Sequence, residues 1–335
     1  MIASPPSMET LVKLLQGALP ESDALAVLRQ LSPDDLDEAT FSTLYDLLWA
    51  KRPDVNTAEL PVMDCCGTGG SGQPHYNTST TVAFVLAAAG VPVVKFGNRA
   101  ASSTSGSFDF LEALGIPAGI PPEHVAEILS ACGCAFLFAP VCYPQLAPLA
   151  PLRRHLWQAE KQRTVFNYLG PLLNPAAPAF RLLGVSHERM QPVIAAMLAR
   201  QPHNRLSWVV RGGKTLDELS TRADSAGLAV RRGDATNEAF TINPPDGARN
   251  ATPTARTYSP SENVAIFNAL IHGDTGNVCP DEKKMVLLNA AAGLHVAGLA
   301  EDLTTGRRIA ESLLAGGQVA ATVARCLKTY EKYAS

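Results

Sequence analysis

Residues 67–72 read GTGGSG, and four of the six are glycine. A loop so bare of side chains lets backbone N–H groups converge on one anion. The stretch HYNTSTT follows at 75–81, then the apolar run VAFVLAAAG. That order places Asn77, Ser79 and Thr80 at the start of a helix, where free amides and the positive end of the dipole favour negative charge. Gly67, Gly69, Gly70, Ser71, His75, Asn77, Ser79 and Thr80 therefore form a candidate cradle for a phosphate or diphosphate. The spacing fits neither GxxxxGK[ST] nor GxGxxG, so neither a P-loop nor a dinucleotide fold is predicted.

A second polar loop repeats the device at 95–115, KFGNRAASSTSGSFDFLEALG. Lys95, Asn98 and Ser107 lie between a strand end and a helix start, a placement that suits phosphate oxygens. A third element is GGKTLDELST at 212–221. Asp217 and Glu218 are adjacent there, and neighbouring carboxylates beside a diphosphate can share Mg²⁺ directly or through water. On most chains such a pair is only a solvated surface; two phosphate-type loops nearby raise the metal reading well above that starting point. The same weighing leaves His75, inside the first loop, as the histidine of interest. No Ser-His-Asp or Cys-His arrangement calls for a nucleophilic mechanism.

These loops need a scaffold that brings strand ends together. From residue 61 short apolar runs (VMDCC, VPVVKF, CAFLFAP, RLLGV, RLSWVV) alternate with helical patterns. Continuous apolar strands between helices predict an α/β fold with a mainly parallel sheet covered on both faces. Ligands of such sheets bind beyond the carboxyl ends of the strands. Residues 226–258 predict an antiparallel hairpin, 248–255 a flexible loop, and 259 to the end four helices. Residues 8–52 carry three amphipathic helical patterns with no strand signal. The expected division is an N-terminal helical domain, 1–60, and an α/β domain, 61–335.

Bulk properties narrow the function classes. The chain has 335 residues, 46% hydrophobic and 18% charged, with a net charge of −3. That argues against a general nucleic-acid or membrane-surface binder. The N-terminus lacks the pattern of a secretory signal. Seven scattered cysteines show no zinc spacing and no disulfide framework. Small buried thiols in a reducing cytoplasm are expected.

The ordered set D-x-x-GTGG-x-G…N-x-ST, K-x-GNR-x-x-SS-x-SGS-x-D-x-LEALG, FAP, RT-x-FN-x-LGPL-x-NPA, LLGV, LDELS and LLNAAAGLHVAG resembles the anthranilate phosphoribosyltransferase family. The likeness runs from about residue 60 to the end. It implies the nucleoside-phosphorylase-like architecture, a homodimer joined through helical domains, and attack of anthranilate on C1 of 5-phosphoribosyl diphosphate with loss of pyrophosphate, in tryptophan synthesis. By the same likeness Gly67, Gly69, Gly70, Asn77, Ser79, Thr80, Lys95 and Ser107 fall on diphosphate positions. Ser79, Asp217 and Glu218 fall on magnesium positions, Asn98 and Arg153 on anthranilate positions, and Pro171 on the acceptor tunnel. The chain departs from the family pattern at Ser71, where the loop usually carries an aspartate. It departs again at Phe96, Thr104 and Cys142-Tyr143, and through extra residues around 155–162. Two rival readings keep the same fold: a paralogue with another aromatic acceptor, and a non-catalytic binding relative. Thymidine and pyrimidine phosphorylases share the architecture, but Lys95–Arg99 and RTVFNYLGPLLNP favour the anthranilate branch.

Overall fold

The computed structural model describes residues 5–72, 75–100, 105–234, 236–244, 257–274 and 280–333. Three helices open the chain: α1 (Met8–Leu15), α2 (Glu21–Gln30) and α3 (Glu38–Trp49). Ser7 and Asp37 cap the first and third by accepting the backbone N–H of Thr10 and Thr40. Then the grammar changes to β1 (Met63–Gly67), α4 (Thr78–Ala88), β2 (Val93–Gly97), α5 (Ser107–Leu114), α6 (Val125–Cys132) and β3 (Cys134–Phe138). Four helices, α7 (Ala139–Cys142), α8 (Leu149–Glu160), α9 (Phe166–Leu169) and α10 (Met190–Arg200), surround β4 (Phe180–Gly184) in sequence. β5 (Leu206–Gly212), β6 (Ser225–Val230) and β7 (Glu238–Ile242) complete one seven-stranded sheet of order β3-β2-β1-β4-β5-β6-β7. Neighbours from β3 to β5 are parallel, and β6 and β7 join antiparallel, as the hairpin reading expected. The four C-terminal helices are α11 (Pro260–His272), α12 (Pro280–Val296), α13 (Leu303–Ala315) and α14 (Gln318–Tyr330). The flexible loop expected at 248–255 lies outside the described residues.

The sheet is doubly wound. From β1 the chain steps outward through β2 to β3, then returns to the other side of β1 as β4 and steps outward again to β5. The reversal opens a crevice beyond the carboxyl ends of β1 and β4. Strands β1 to β3 are almost wholly buried, so their apolar runs need no alternation. α4 packs on β1, β2 and β3, and α12 packs on α4, β4 and β5. The approach of α12 is close: a Cβ on Gly293 would meet the Leu86 side chain at 2.9 Å. α13 comes closer still, since a Cβ on Gly306 would stand 2.6 Å from the Ala291 carbonyl oxygen.

Packing brings α8 onto α2, so the helical layer draws on two stretches of the chain. Part of the segment 155–162 forms the last turns of α8 and hands it an anchor. Glu160 takes an ion pair from Arg29 at 2.7 Å, and Gln162 donates to the Arg29 carbonyl at 2.8 Å. The departures Phe96 and Tyr143 also explain each other. Both are buried, their rings meet edge to face at 6.0 Å, and the Tyr143 hydroxyl donates to the Leu173 carbonyl at 2.7 Å. Six cysteines among the described residues are free and buried. Burial pushes the Cys65 thiol up to about 12, so it is an unreactive hydrophobe as expected. Among the described residues no helix is long and apolar enough to cross a membrane.

Candidate active site

Four strands end in glycine, Gly97 on β2 among them, and three of these residues line the crevice: Gly67 on β1, Gly184 on β4 and Gly212 on β5. Each leaves room for the segment that carries the paired carboxylates. A Cβ on Gly67 would stand 2.2 Å from Asp217 Oδ2; one on Gly184, 1.7 Å from the Asp217 carbonyl oxygen; one on Gly212, 2.4 Å from the Glu218 carbonyl oxygen. No side chain fits in those gaps, so glycine is required for the loop after β5 to fold back over the strand ends.

The glycine loop then turns upward. Gly69 and Gly70 take φ of +68° and +74°, the left-handed region that glycine enters without strain. Its base is tied to β4: the Thr68 N–H donates to the Gly184 carbonyl at 2.9 Å, and the Thr68 and Ser186 hydroxyls meet at 3.1 Å. Ser186 also donates to the Gly69 carbonyl at 2.8 Å. The Gly69 N–H donates to Asp217 Oδ2 at 2.7 Å. From the other side the Ser79 N–H, in the first turn of α4, donates to Glu218 Oε1 at 3.2 Å. One carboxylate thus holds the glycine loop and its neighbour holds the helix N-terminus.

Asp217 and Glu218 are only 5% and 7% exposed, and one oxygen of each, Asp217 Oδ1 and Glu218 Oε2, is buried without a hydrogen-bond partner. Such an oxygen is expensive to leave alone. Burial pushes the Glu218 carboxyl up to about 7; His75 opposes the shift with its positive charge, and Asp217 adds to it. Two unpaired buried carboxylate oxygens, with Ser79 held against Glu218 through its N–H, are a donor set that suits a hard divalent cation. Among the described residues no group of three or more His, Cys, Asp or Glu forms a cage. Mg²⁺ is commonly bound through one or two carboxylates while phosphate oxygens and water fill the remaining positions.

Lys95 lies beneath this group rather than above it. Its ammonium is buried and donates to the Cys65 carbonyl and, at 3.1 Å, to Ser79 Oγ. It therefore stiffens the end of β1 and aims the serine. Asp64, fully buried on the same strand, has its carboxyl raised above the usual range by burial, against the pull of Lys95. Asn77 bridges the two polar loops: its Nδ2 donates to Ser105 Oγ at 3.1 Å. Thr80 is fully buried and Ser71 nearly so. Ser107 donates to the carbonyl of Asn98 at 3.2 Å, fixing that exposed asparagine at the rim. Residues 101–104, with the departure at Thr104, lie outside the described residues.

Arg153 stands apart on α8, with its guanidinium over the Phe166 ring at 5.6 Å and its Nε buried and unpartnered. Loss of water lowers its pKa to about 10, and it stays charged at neutral pH. An unpaired guanidinium over an aromatic ring can take a carboxylate. Pro171 is buried in the turn that follows α9. The metal-type group, Lys95 and the glycine loop are thus brought together by hydrogen bonds. No described hydrogen bond or ion pair connects Arg153 to them.

Sequence reasoning passed over several residues that touch the site. Arg163 crosses the glycine loop, where a Cβ on Gly70 would meet its guanidinium at 2.7 Å, and it reaches Ser186 Oγ at 3.4 Å. The motif RT-x-FN that contains it is visible in the chain, and an arginine beside a phosphate loop was the available signal. Asn289 lies within the quoted run LLNAAAGLHVAG, but neither it nor Asn263 shows its role locally, because the partners that tie them to the site, Leu219 and Asn77, are far away in sequence. A surface depression of about 640 Å³ lies at the opposite edge of the sheet, lined by residues such as His203, Arg205 and Arg231. It contains none of the residues above.

Residues 59–320 match the family model described as "Glycosyl transferase family, a/b domain". The chain is 37% identical over 308 residues to the anthranilate phosphoribosyltransferase of Synechococcus elongatus, covering 90% of this chain and 85% of that one. It is 41% identical over 258 residues to the enzyme of the same name from Myxococcus xanthus, covering 76% and 73%. The crystal structure of anthranilate phosphoribosyltransferase from Thermus thermophilus superposes with a TM-score of 0.82 at 32% identity, covering 97% of this chain and 94% of that one. The yeast enzyme, solved in complex with PRPP and Mg, shares the fold at a TM-score of 0.78 and 22% identity, covering 99% of each chain.

Proposed function

The chain belongs to the anthranilate phosphoribosyltransferase family, and from that premise we propose that it transfers the 5-phosphoribosyl group of phosphoribosyl diphosphate to anthranilate and releases pyrophosphate. The observation that carries the proposal is the pair of buried, unpartnered carboxylate oxygens, Asp217 Oδ1 and Glu218 Oε2, set against a glycine loop and a helix N-terminus. A diphosphate bound to amides would be repelled by those carboxylates unless a cation lay between them.

The residues divide the work. The glycine loop beyond Gly69, whose own N–H is held by Asp217, and the N-terminus of α4 would face the diphosphate. Ser79, Asp217 and Glu218 would hold Mg²⁺. When bound, Mg²⁺ would neutralise charge on the leaving pyrophosphate. Lys95 adds fixed positive charge below the strand ends and keeps Ser79 in place. Arg163 crosses the loop and adds a second cation. Arg153 would grip the acceptor carboxylate and Asn98 would turn the ring, with Pro171 lining its approach. An aromatic amine is neutral at pH 7 and keeps its lone pair, so no strong base is needed. Orienting two bound substrates can supply several kcal/mol, roughly 7–11 at best, of the barrier. A homodimer and a cytoplasmic location rest on the family likeness.

The direct test is pyrophosphate release from phosphoribosyl diphosphate and Mg²⁺, with anthranilate set against a panel of other aromatic acids and amines. Anthranilate is expected to give the highest kcat/KM. A different preferred acceptor would assign the chain to a paralogous transferase, and release with no acceptor would overturn the Arg153 pocket.

A further inference from the structure

Leu219 follows the two carboxylates directly, and its backbone is held in an unusual way. Among the described residues its N–H and C=O find their partner in one side chain. The Leu219 N–H donates to Asn289 Oδ1 at 3.0 Å, and Asn289 Nδ2 donates to the Leu219 carbonyl at 3.1 Å. The amide imitates the edge of a neighbouring strand. Its second amide hydrogen goes to the Met285 carbonyl one turn earlier at 2.9 Å, which fixes the rotamer. Asn289 is 4% exposed, so these bonds form out of water.

The other anchors of the segment lie on either side. Leu216 pairs with Gly212 through both backbone groups, at 2.9 and 3.0 Å, and Ser220 N–H donates to Ser225 Oγ at 2.9 Å. Between them Glu218 reaches α4 through its side chain, while the backbone itself is tied to a helix at Leu219. That helix, α12, also packs against α4, which carries Ser79. One rigid element therefore touches both halves of the donor set.

We propose that Asn289 is a positioning residue, a side-chain amide on α12 that fixes the Leu219 backbone and through it the aim of Asp217 and Glu218. It touches neither substrate. Aspartate in its place keeps an acceptor for the Leu219 N–H but loses both donors. Alanine loses all three bonds. The proposal rests on the assignment of the carboxylates to a divalent cation.

The test uses Mn²⁺ as the probe, followed by electron paramagnetic resonance in the presence of phosphoribosyl diphosphate. Asn289→Ala is expected to weaken Mn²⁺ binding tenfold or more, with metal-free affinity for phosphoribosyl diphosphate changed less than threefold. Asn289→Asp should fall between alanine and the wild type. Asn204→Ala is the control for lost stability: Asn204 is equally buried and donates to the Val230 carbonyl at 3.2 Å, at the opposite end of the sheet. It should lower the melting temperature and leave the Mn²⁺ curve in place. Unchanged Mn²⁺ affinity in Asn289→Ala, or an equal loss in Asn204→Ala, overturns the proposal. If neither Asn289 variant folds, native hydrogen exchange of the wild type decides. The Leu219 amide should exchange as slowly as those of α12, and exchange at the rate of an open loop overturns the clamp. A wild type that binds Mn²⁺ but never turns over anthranilate overturns the reaction and supports the clamp only if the variants still lose metal.

Discussion

Glu218 sets folding against binding. Burial pushes its carboxyl up to about 7, well above the roughly 4.3 expected in an unfolded chain. Below both values the folded and unfolded states are protonated and the residue carries no ionisation penalty. As pH rises between them, the unfolded chain ionises first and stability drains away, until above pH 7 the loss is complete at about 4 kcal/mol at most. Glu218→Gln should therefore make the metal-free protein more stable by about 1–3 kcal/mol at pH 8, with the gain shrinking towards pH 5. Urea melts of both forms across that range measure it, and a gain that grows towards acid would show that the site does not bury the charge. The same substitution should abolish turnover, since the penalised charge is the one a cation needs. At this scale the sequence was legible where chemistry is local. GTGGSG and the adjacent Asp217 and Glu218 declare themselves by composition and spacing. Lys95 was legible as a phosphate-loop lysine, yet its ammonium turns down to Cys65 and Ser79, a direction that depends on how β1, β2 and α4 pack. Arg163 and Asn289 matter only through partners that folding brings near.

Helices α12 and α13 show what an element must give up to place a site. The run NAAAG lets α12 lie close on α4, and Gly306 lets α13 lie close on α12. Gly306→Ala would raise helix propensity by about 1 kcal/mol. Its new methyl would press on the Ala291 backbone, which has no rotamer with which to yield. Overpacking against rigid backbone falls in the upper part of the range, about 2–3 kcal/mol, so a net destabilisation of about 1–2 kcal/mol is expected. A thermal melt checks it, and a variant as stable as the wild type would mean that the helices separate freely. Ala291 lies two residues beyond Asn289, so the same push should weaken Mn²⁺ binding as well. The strands were legible from their apolar runs, and the four C-terminal helices from their periodicity and glycine stops. The reach of α8 was not: its extra residues look like an insertion in sequence and become an anchor for α2 only in space.

Across the whole molecule, the sequence predicted the α/β class and the carboxyl edge of the sheet as the binding edge, because alternating strands and helices leave few other solutions. The order of strands is what it left open. Pairing β1 with β4 joins residue 63 to residue 180, while β2 and β3 lie on one flank and β5 to β7 on the other. Each flank is contiguous in the chain, and the binding crevice opens where they meet. That junction gives the protein a clock. Contacts within a flank close short loops and can form early; the central pairing has to wait for a long one. On refolding from urea, helical circular dichroism should therefore return before Mn²⁺-dependent binding of phosphoribosyl diphosphate does, and simultaneous recovery would show that the central pairing forms with the rest. A newly made chain meets the same schedule: it emerges with both polar loops already translated and cannot grip its ligand until β4, the segment after β5 and finally α12 have arrived.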